Sequence, residues 1–176
     1  MKRLLIVVDY QNDFVTGSLG FLKAETLEEP ICRKIASYRN AGDVVVFTMD
    51  THGEDYLTTM EGTKLPVPHC LKDNEGWQLY GKVALLRSPK DMVFEKPTFG
   101  SVGLMEYLRK NQYESIELCG LVTNMCVLSN AVIAKTAQPD AQILIDSACT
   151  ASFDDSLHEK TLDVLASLHC TILNRG

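Results

Sequence analysis

Leu4-Leu5-Ile6-Val7-Val8 is an unbroken apolar run of five residues that stops dead at Asp9. A strand with no polar face must be covered on both sides, and that is the signature of a central parallel strand rather than a half-solvated antiparallel one. Similar short runs recur at Val44–Thr48, Met92–Glu95, Ser115–Leu121, Gln142–Ile145 and Thr171–Leu173. Between them lie segments of helical period. Glu28–Ala41 carries Pro30 in its first turn, Ile31, Ile35 and Tyr38 on one side, and Gly42 where a C-terminal cap belongs. Val102–Lys110 follows Ser101, a good N-cap, and Cys126–Thr136 and Ser156–Leu168 read as two more helices. Six strands alternating with helices predict an α/β fold, a three-layer α/β/α sandwich around a six-stranded, mainly parallel sheet. With 176 residues and no linker or repeat, residues 1–176 read as one domain. Thr51 to about Asn74, with Pro66 and Pro68, reads as a long loop, and such loops are usually functional. Gly76–Leu86 fits a short helix or a strand equally well.

Charge and cysteine usage narrow the classes. Lys plus Arg is 17 against 23 Asp plus Glu, a net charge of −6, which disfavours nucleic-acid binding. No stretch approaches the roughly 20 apolar residues of a membrane span. The apolar run after Lys2-Arg3 is shorter than a signal sequence needs, so the cytoplasm is the expected location. There the six cysteines, Cys32, Cys70, Cys119, Cys126, Cys149 and Cys170, stay reduced. No two are spaced as in zinc ribbons or thioredoxin-type motifs.

In an open parallel sheet, ligands bind at the edge where the strands end. The reactive residues at that edge can be read off directly. Asp9 follows the first strand, Asp50 and His52 the second, Lys96 the third, and Asp146 the fifth, while Cys126 lies just past the fourth at a helix start. A helix N-terminus and a nearby lysine both favour a thiolate, so Cys126 is a candidate nucleophile that should alkylate faster than the other five thiols. Most free cysteines are instead small buried hydrophobes, and Cys70 is undecided because it adjoins His69. Asp9 ending an apolar run needs a partner, which Lys96 can supply; together they can take the thiol proton and hold the resulting charge. Asp50, His52 and His69 have the composition of a divalent metal site suited to zinc, iron or manganese, with Glu61 in the same loop as a possible fourth ligand. His158 and His169 belong to the last helix and its end, away from this edge.

These residues also sit in segments that resemble a known superfamily. Val8-Asp9-Tyr10-Gln11-Asn12-Asp13-Phe14 resembles the D-x-Q-x-D-F opening of the isochorismatase-like cysteine hydrolases. Lys96-Pro97-Thr98-Phe99-Gly100-Ser101 resembles their lysine segment, and Gly120 to Val127 their nucleophile segment G-x-x-T-x-x-C-V. The resemblance implies an α/β/α fold with a six-stranded parallel sheet and a triad of Asp9, Lys96 and Cys126. It further implies a thioester on Cys126, a cis Leu121–Val122 bond, and an oxyanion hole made by the Val122 and Cys126 N–H groups. Within the superfamily, a D-x-H pair followed by H-C, here Asp50, His52 and His69-Cys70, is similar to nicotinamidases. That implies hydrolysis of nicotinamide to nicotinate and ammonia, a bound divalent metal, and Phe14 on the substrate pocket. The relatives are often homo-oligomers, so the resemblance implies one here. Lys72–Gly76 departs from the usual glycine-rich stretch after H-C, and Pro66-Val67-Pro68 lacks the usual tryptophan, so the substrate could instead be another small amide or a vinyl ether. A small-ligand-binding α/β module without catalysis is the non-enzyme alternative, although no G-x-G-x-x-G or Walker A phosphate cradle follows any strand.

Overall fold

The computed structural model describes residues 2–176. Six strands, β1 (Leu4–Val8), β2 (Val44–Asp50), β3 (Val93–Lys96), β4 (Ser115–Leu121), β5 (Gln142–Ala151) and β6 (Thr171–Leu173), form one sheet in the order β3-β2-β1-β4-β5-β6. Every pairing is parallel. The apolar run of β1 occupies the centre, and all five of its residues are fully buried.

The reason lies in the alternation of its side chains. Leu5 and Val7 join one core, with Val45, Phe47, Ile31, Ile35, Tyr38 and Val83. Leu4, Ile6 and Val8 join another, with Leu104, Leu108, Ala131, Ala134, Leu162 and Leu165. Successive strand residues point to opposite faces, so a strand apolar at every position is stable only between two helical layers. One layer is built on α3 (Glu28–Asn40) and α5 (Gly81–Leu86), the other on α6 (Val102–Lys110), α7 (Leu128–Ala137) and α8 (Asp155–Ser167). Two four-residue helices, α1 (Asn12–Val15) and α2 (Leu22–Glu25), follow β1. The Ser101 hydroxyl accepts the Leu104 N–H at 3.1 Å and starts α6 where a cap residue should.

Four expectations are refined. The 51–74 segment is not structureless, since Tyr56–Thr58 forms a 3₁₀ turn and α4 spans Met60–Lys64. Gly76–Leu86 resolves into a 3₁₀ turn at Glu75–Trp77 and the helix α5. Cys126 does not begin an α-helix; it lies in a π-helical turn, Thr123–Val127, that leads into α7. Finally, β5 continues to Ala151, with a register shift opposite Leu118 and Gly120. Asp146 therefore sits within β5, not after it. It pairs with Lys34 at 2.6 Å, and Lys34 also holds Glu117 of β4 at 2.5 Å. Asp146 is thus a structural anchor for α3 and is removed from the group at the strand ends. Gly120, at φ +109°, passes so close to β1 that a Cβ would lie 2.0 Å from the Val8 carbonyl oxygen.

Candidate functional site

The strand ends converge because β1, β2, β3 and β4 are parallel neighbours in register. Val8 is level with Thr48 and Gly120, and Asp50 is level with Lys96. The residues that follow or end these strands must therefore meet. Asp9, at φ +45°, turns off the end of β1 and is fully buried. Its Oδ2 lies 2.6 Å from the Lys96 ammonium, and its Oδ1 accepts the Thr48 hydroxyl at 2.6 Å. Lys96, only 2% exposed, also donates to the Thr98 carbonyl at 2.9 Å and reaches the Cys126 Sγ at 3.4 Å. The Leu121–Val122 bond ahead of the cysteine turn is cis.

The electrostatics of this group are set by burial. Desolvation works against the Lys96 charge, but Asp9, Cys126 and Asp50 around it outweigh that and hold its pKa above the usual lysine range. Burial pushes the Asp9 carboxyl up, and Lys96 pulls against that rise. Burial, followed by the Asp9 charge, drives the Cys126 thiol well above its ordinary pKa against the pull of Lys96. These directions weigh against the pre-formed thiolate expected from a helix start and a lysine. Burial and the Asp9 charge both favour the thiol form of Cys126. Cys32 is the sole half-exposed cysteine among six free thiols, so the fastest alkylation expected of Cys126 does not follow from this geometry either.

Asp50, His52, Glu61 and His69 offer one ligand atom each, all within 4.8 Å of one another. Among the described residues no other His, Cys, Asp and Glu group of three or more meets that condition. His52 and His69 come together because residues 52 and 71 form a parallel bridge, with the His52 N–H on the Cys70 carbonyl at 3.0 Å and the Lys72 N–H on the His52 carbonyl at 2.9 Å. The Asp50 Oδ2 lies 2.9 Å from His52 Nε2 and 3.3 Å from His69 Nε2. The Glu61 Oε1, brought in by α4, lies 3.8 and 3.6 Å from the same two nitrogens. His69 Nδ1 faces the Val67 carbonyl at 2.8 Å, and a carbonyl only accepts. A ring proton therefore sits on Nδ1, which leaves Nε2, on the side of the Asp50 and Glu61 carboxylates, as the nitrogen that would bind a metal. Burial would raise Asp50, but His52, His69 and Lys96 together hold it well below the usual carboxylate range. Burial and the Asp50 charge raise Glu61. Two neutralisable carboxylates and two imidazoles at this spacing fit a single divalent ion.

Asp50 joins the two groups, since its other oxygen, Oδ1, is 3.4 Å from the Lys96 ammonium. A cavity of about 430 Å³ opens onto both, with Cys126, Asp50 and His69 reached from it and Phe14, Leu19 and Met125 among its apolar walls. Phe14 packs on His69 with ring centroids 5.5 Å apart. Val122 also lines the cavity.

Sequence reasoning missed three contributors. Tyr56 is buried between the two imidazoles, its ring 4.8 Å from His52 and 5.0 Å from His69. Its place in a segment without a period left no signal. Thr48 ends the second apolar run, and nothing in that run signals that its hydroxyl meets Asp9. Gln11 was visible in the D-x-Q motif but had no role until its partners were seen. Cys70 is buried, and burial with the Asp50, Asp9 and Asp13 charges pushes its thiol far up, which makes it an inert packing residue. His158, expected away from the strand-end edge, is buried, with Nδ1 2.8 Å from the Thr123 hydroxyl at the start of the cysteine turn.

A family model described as the Isochorismatase domain matches residues 3–175. PncA of Bacillus subtilis strain 168, described as an uncharacterized isochorismatase family protein, is 33% identical over 178 residues, covering 95% of this chain and 96% of its own. The nicotinamidase/pyrazinamidase of Mycobacterium tuberculosis is 28% identical over 173 residues, 88% of this chain and 90% of that one. The crystal structure of nicotinamidase PncA from Bacillus subtilis superposes with a TM-score of 0.87 at 32% identity, covering 99% of this chain and 100% of the other.

Proposed function

The chain belongs to the isochorismatase family, and from that premise and the site's geometry we propose that it is a metal-assisted cysteine amidohydrolase converting nicotinamide to nicotinate and ammonia. The observation that carries the reading is one ammonium, Lys96 Nζ, 2.6 Å from Asp9, 3.4 Å from Cys126 Sγ and 3.4 Å from Asp50 of the His/carboxylate cluster. A base, a thiol and a metal-type site share one cavity, and relatives with nicotinamidase names cover nearly the same length.

In this reading the substrate ring lies against Phe14, with its carboxamide over Cys126. Asp9 takes the thiol proton as Sγ attacks the carbonyl carbon. A base in hydrogen-bond reach contributes roughly 10²–10⁴-fold, and the raised thiol means the proton moves only as the bond forms. Lys96 stays charged and balances the negative charge that passes between Asp9 and Sγ. The backbone N–H groups of Val122 and Cys126 receive the developing oxyanion, where one donor is worth roughly 10²–10³-fold. Asp9 then returns the proton to the amine, the C–N bond breaks, ammonia leaves, and a thioester remains on Cys126. Water, deprotonated by Asp9, attacks the thioester carbonyl; nicotinate leaves and the thiol is restored.

Asp50, His52, His69 and Glu61 would hold one divalent ion, with zinc the best match to the donors and iron or manganese also compatible. An ion held there would supply a Lewis acid beside the substrate ring, and Asp50, His52, His69 and Glu61 would fix its place relative to Cys126. Asp50 keeps one oxygen on Lys96 while facing the imidazoles with the other. The test is ammonia release from nicotinamide by zinc-loaded protein, with pyrazinamide and simple aliphatic amides in parallel. Turnover confined to the pyridine and pyrazine amides supports the reading. Zinc-loaded, folded protein that leaves both rings untouched sinks it.

A further inference from the structure

The short stretch after Asp9 does more than pass from β1 to α1. Gln11 is fully buried, and every polar atom of its side chain is engaged across the chain. Its Nε2 donates to the Asp50 carbonyl at 2.9 Å and the Trp77 carbonyl at 2.8 Å, and its Oε1 accepts the Asp50 N–H at 2.8 Å. Asp50 is thus gripped by both of its main-chain polar groups through one amide. The Gln11 N–H is in turn held by the Asp9 carbonyl at 2.8 Å. Two residues on, Asp13 Oδ2 accepts the N–H of Cys70, the neighbour of His69, at 2.7 Å. Between them, the Asn12 amide donates to the Glu75 carbonyl at 2.8 Å. The fit is close: a Cβ on Gly76 would lie 2.1 Å from the Asp13 carboxylate. One tripeptide therefore holds the main chain at one cluster member and beside another, and ties both to the residue that carries Asp9.

We infer that Gln11 and Asp13 are positioning residues, a brace that presets Asp50 and His69 for a divalent ion and keeps that site in fixed relation to Asp9. Neither side chain points at the ion's four donors. Each acts through the backbone it holds, as groups beside a metal site commonly do, and loss of such support typically lowers metal affinity roughly 10–100-fold. A residue serving only the fold would lower stability and leave the affinity of the folded protein alone. The inference rests on the metal site proposed above.

The experiment is zinc affinity by competition with a chromogenic chelator, alongside thermal unfolding of the metal-free forms. Gln11→Met keeps the volume and removes every hydrogen bond, and Asp13→Ala removes the acceptor. Asp13→Asn keeps an acceptor oxygen for the Cys70 N–H and serves as the rescue. The expected result is zinc affinity down roughly 10–100-fold in Gln11→Met and Asp13→Ala, with Asp13→Asn within a few-fold of wild type. If Gln11→Met does not fold, the Asp13 pair decides. Folded Asp13→Ala with the affinity of Asp13→Asn overturns the brace and leaves the proposed function standing. Wild-type protein that takes up no zinc overturns both.

Discussion

Replacing Lys96 by Met removes the one cation at the centre of the site and leaves two carboxylates, Asp9 and Asp50, without it. At an effective dielectric of about 20, an ammonium 2.6 Å from one carboxylate oxygen and 3.4 Å from another attracts them by about 6 and 5 kcal/mol. Most of that offsets the desolvation of the charges themselves, and removing one partner of a buried pair costs about 3–5 kcal/mol. Protonation sets an upper limit. Asp9 is fully buried, and without Lys96 it takes a proton rather than stay charged. From the ordinary carboxylate pKa near 3.9 to pH 7 that costs about 1.4 kcal/mol per pH unit, or about 4 kcal/mol. The two routes agree. The sign follows: the folded variant holds a proton the unfolded chain has released, so its deficit against wild type is greatest at neutral pH. By pH 5 the deficit shrinks to about 1.5 kcal/mol. Urea unfolding of both proteins at pH 7 and pH 5 reads this directly. Ammonia release at pH 7 should fall roughly 10²–10⁴-fold, because a protonated Asp9 accepts no thiol proton. A variant equally destabilised at both pH values, or one with wild-type rates, would refute the account of Lys96 as counter-ion to a buried base.

Asp9→Asn should lower turnover by roughly 10²–10⁴ with the circular dichroism of the folded chain unchanged; retained turnover would assign the proton transfer elsewhere. Since burial and Asp9 hold the Cys126 thiol well above its ordinary range, its alkylation by iodoacetamide, followed by peptide mapping, should still be rising with pH past 8, and a plateau near neutrality would mean a standing thiolate. His52→Ala and His69→Ala should each abolish stoichiometric zinc in metal analysis of folded protein, and undiminished zinc would move the site off these imidazoles.

Much of the site was legible because its residues stand where apolar runs stop. Asp9, Asp50 and Lys96 each end or follow a strand, and parallel register carries them to one place. The long helices and their caps were legible for the same local reason, as Ser101 shows. Asp146 shows where that reading breaks. Nothing in Gln142–Ile145 signals that β5 runs on to Ala151, since the strand is continued by pairing with β4 across an irregular register rather than by its own pattern. Asp146 is thereby buried beside Lys34 of α3, which it anchors, and does not join the group at the strand ends. The 51–74 segment hid Tyr56 and α4 because short turns are held by partners distant in sequence, not by periodicity.

By itself, the sequence determined the parallel α/β sandwich and the strand-end placement of Asp9, Asp50 and Lys96, while amide hydrolysis entered only through the motifs that resemble the family. The sandwich and that placement follow from side-chain period and from the need to cover a strand apolar on both faces. Tertiary structure alone decided the burial that raises the Cys126 thiol, the Asp50 link between Lys96 and the imidazoles, and the hydrogen bonds from Gln11 and Asp13 to two other segments. Each of these depends on burial and on distances of a few ångströms between segments far apart in the chain, and pKa and hydrogen bonding respond to those distances rather than to order along the sequence.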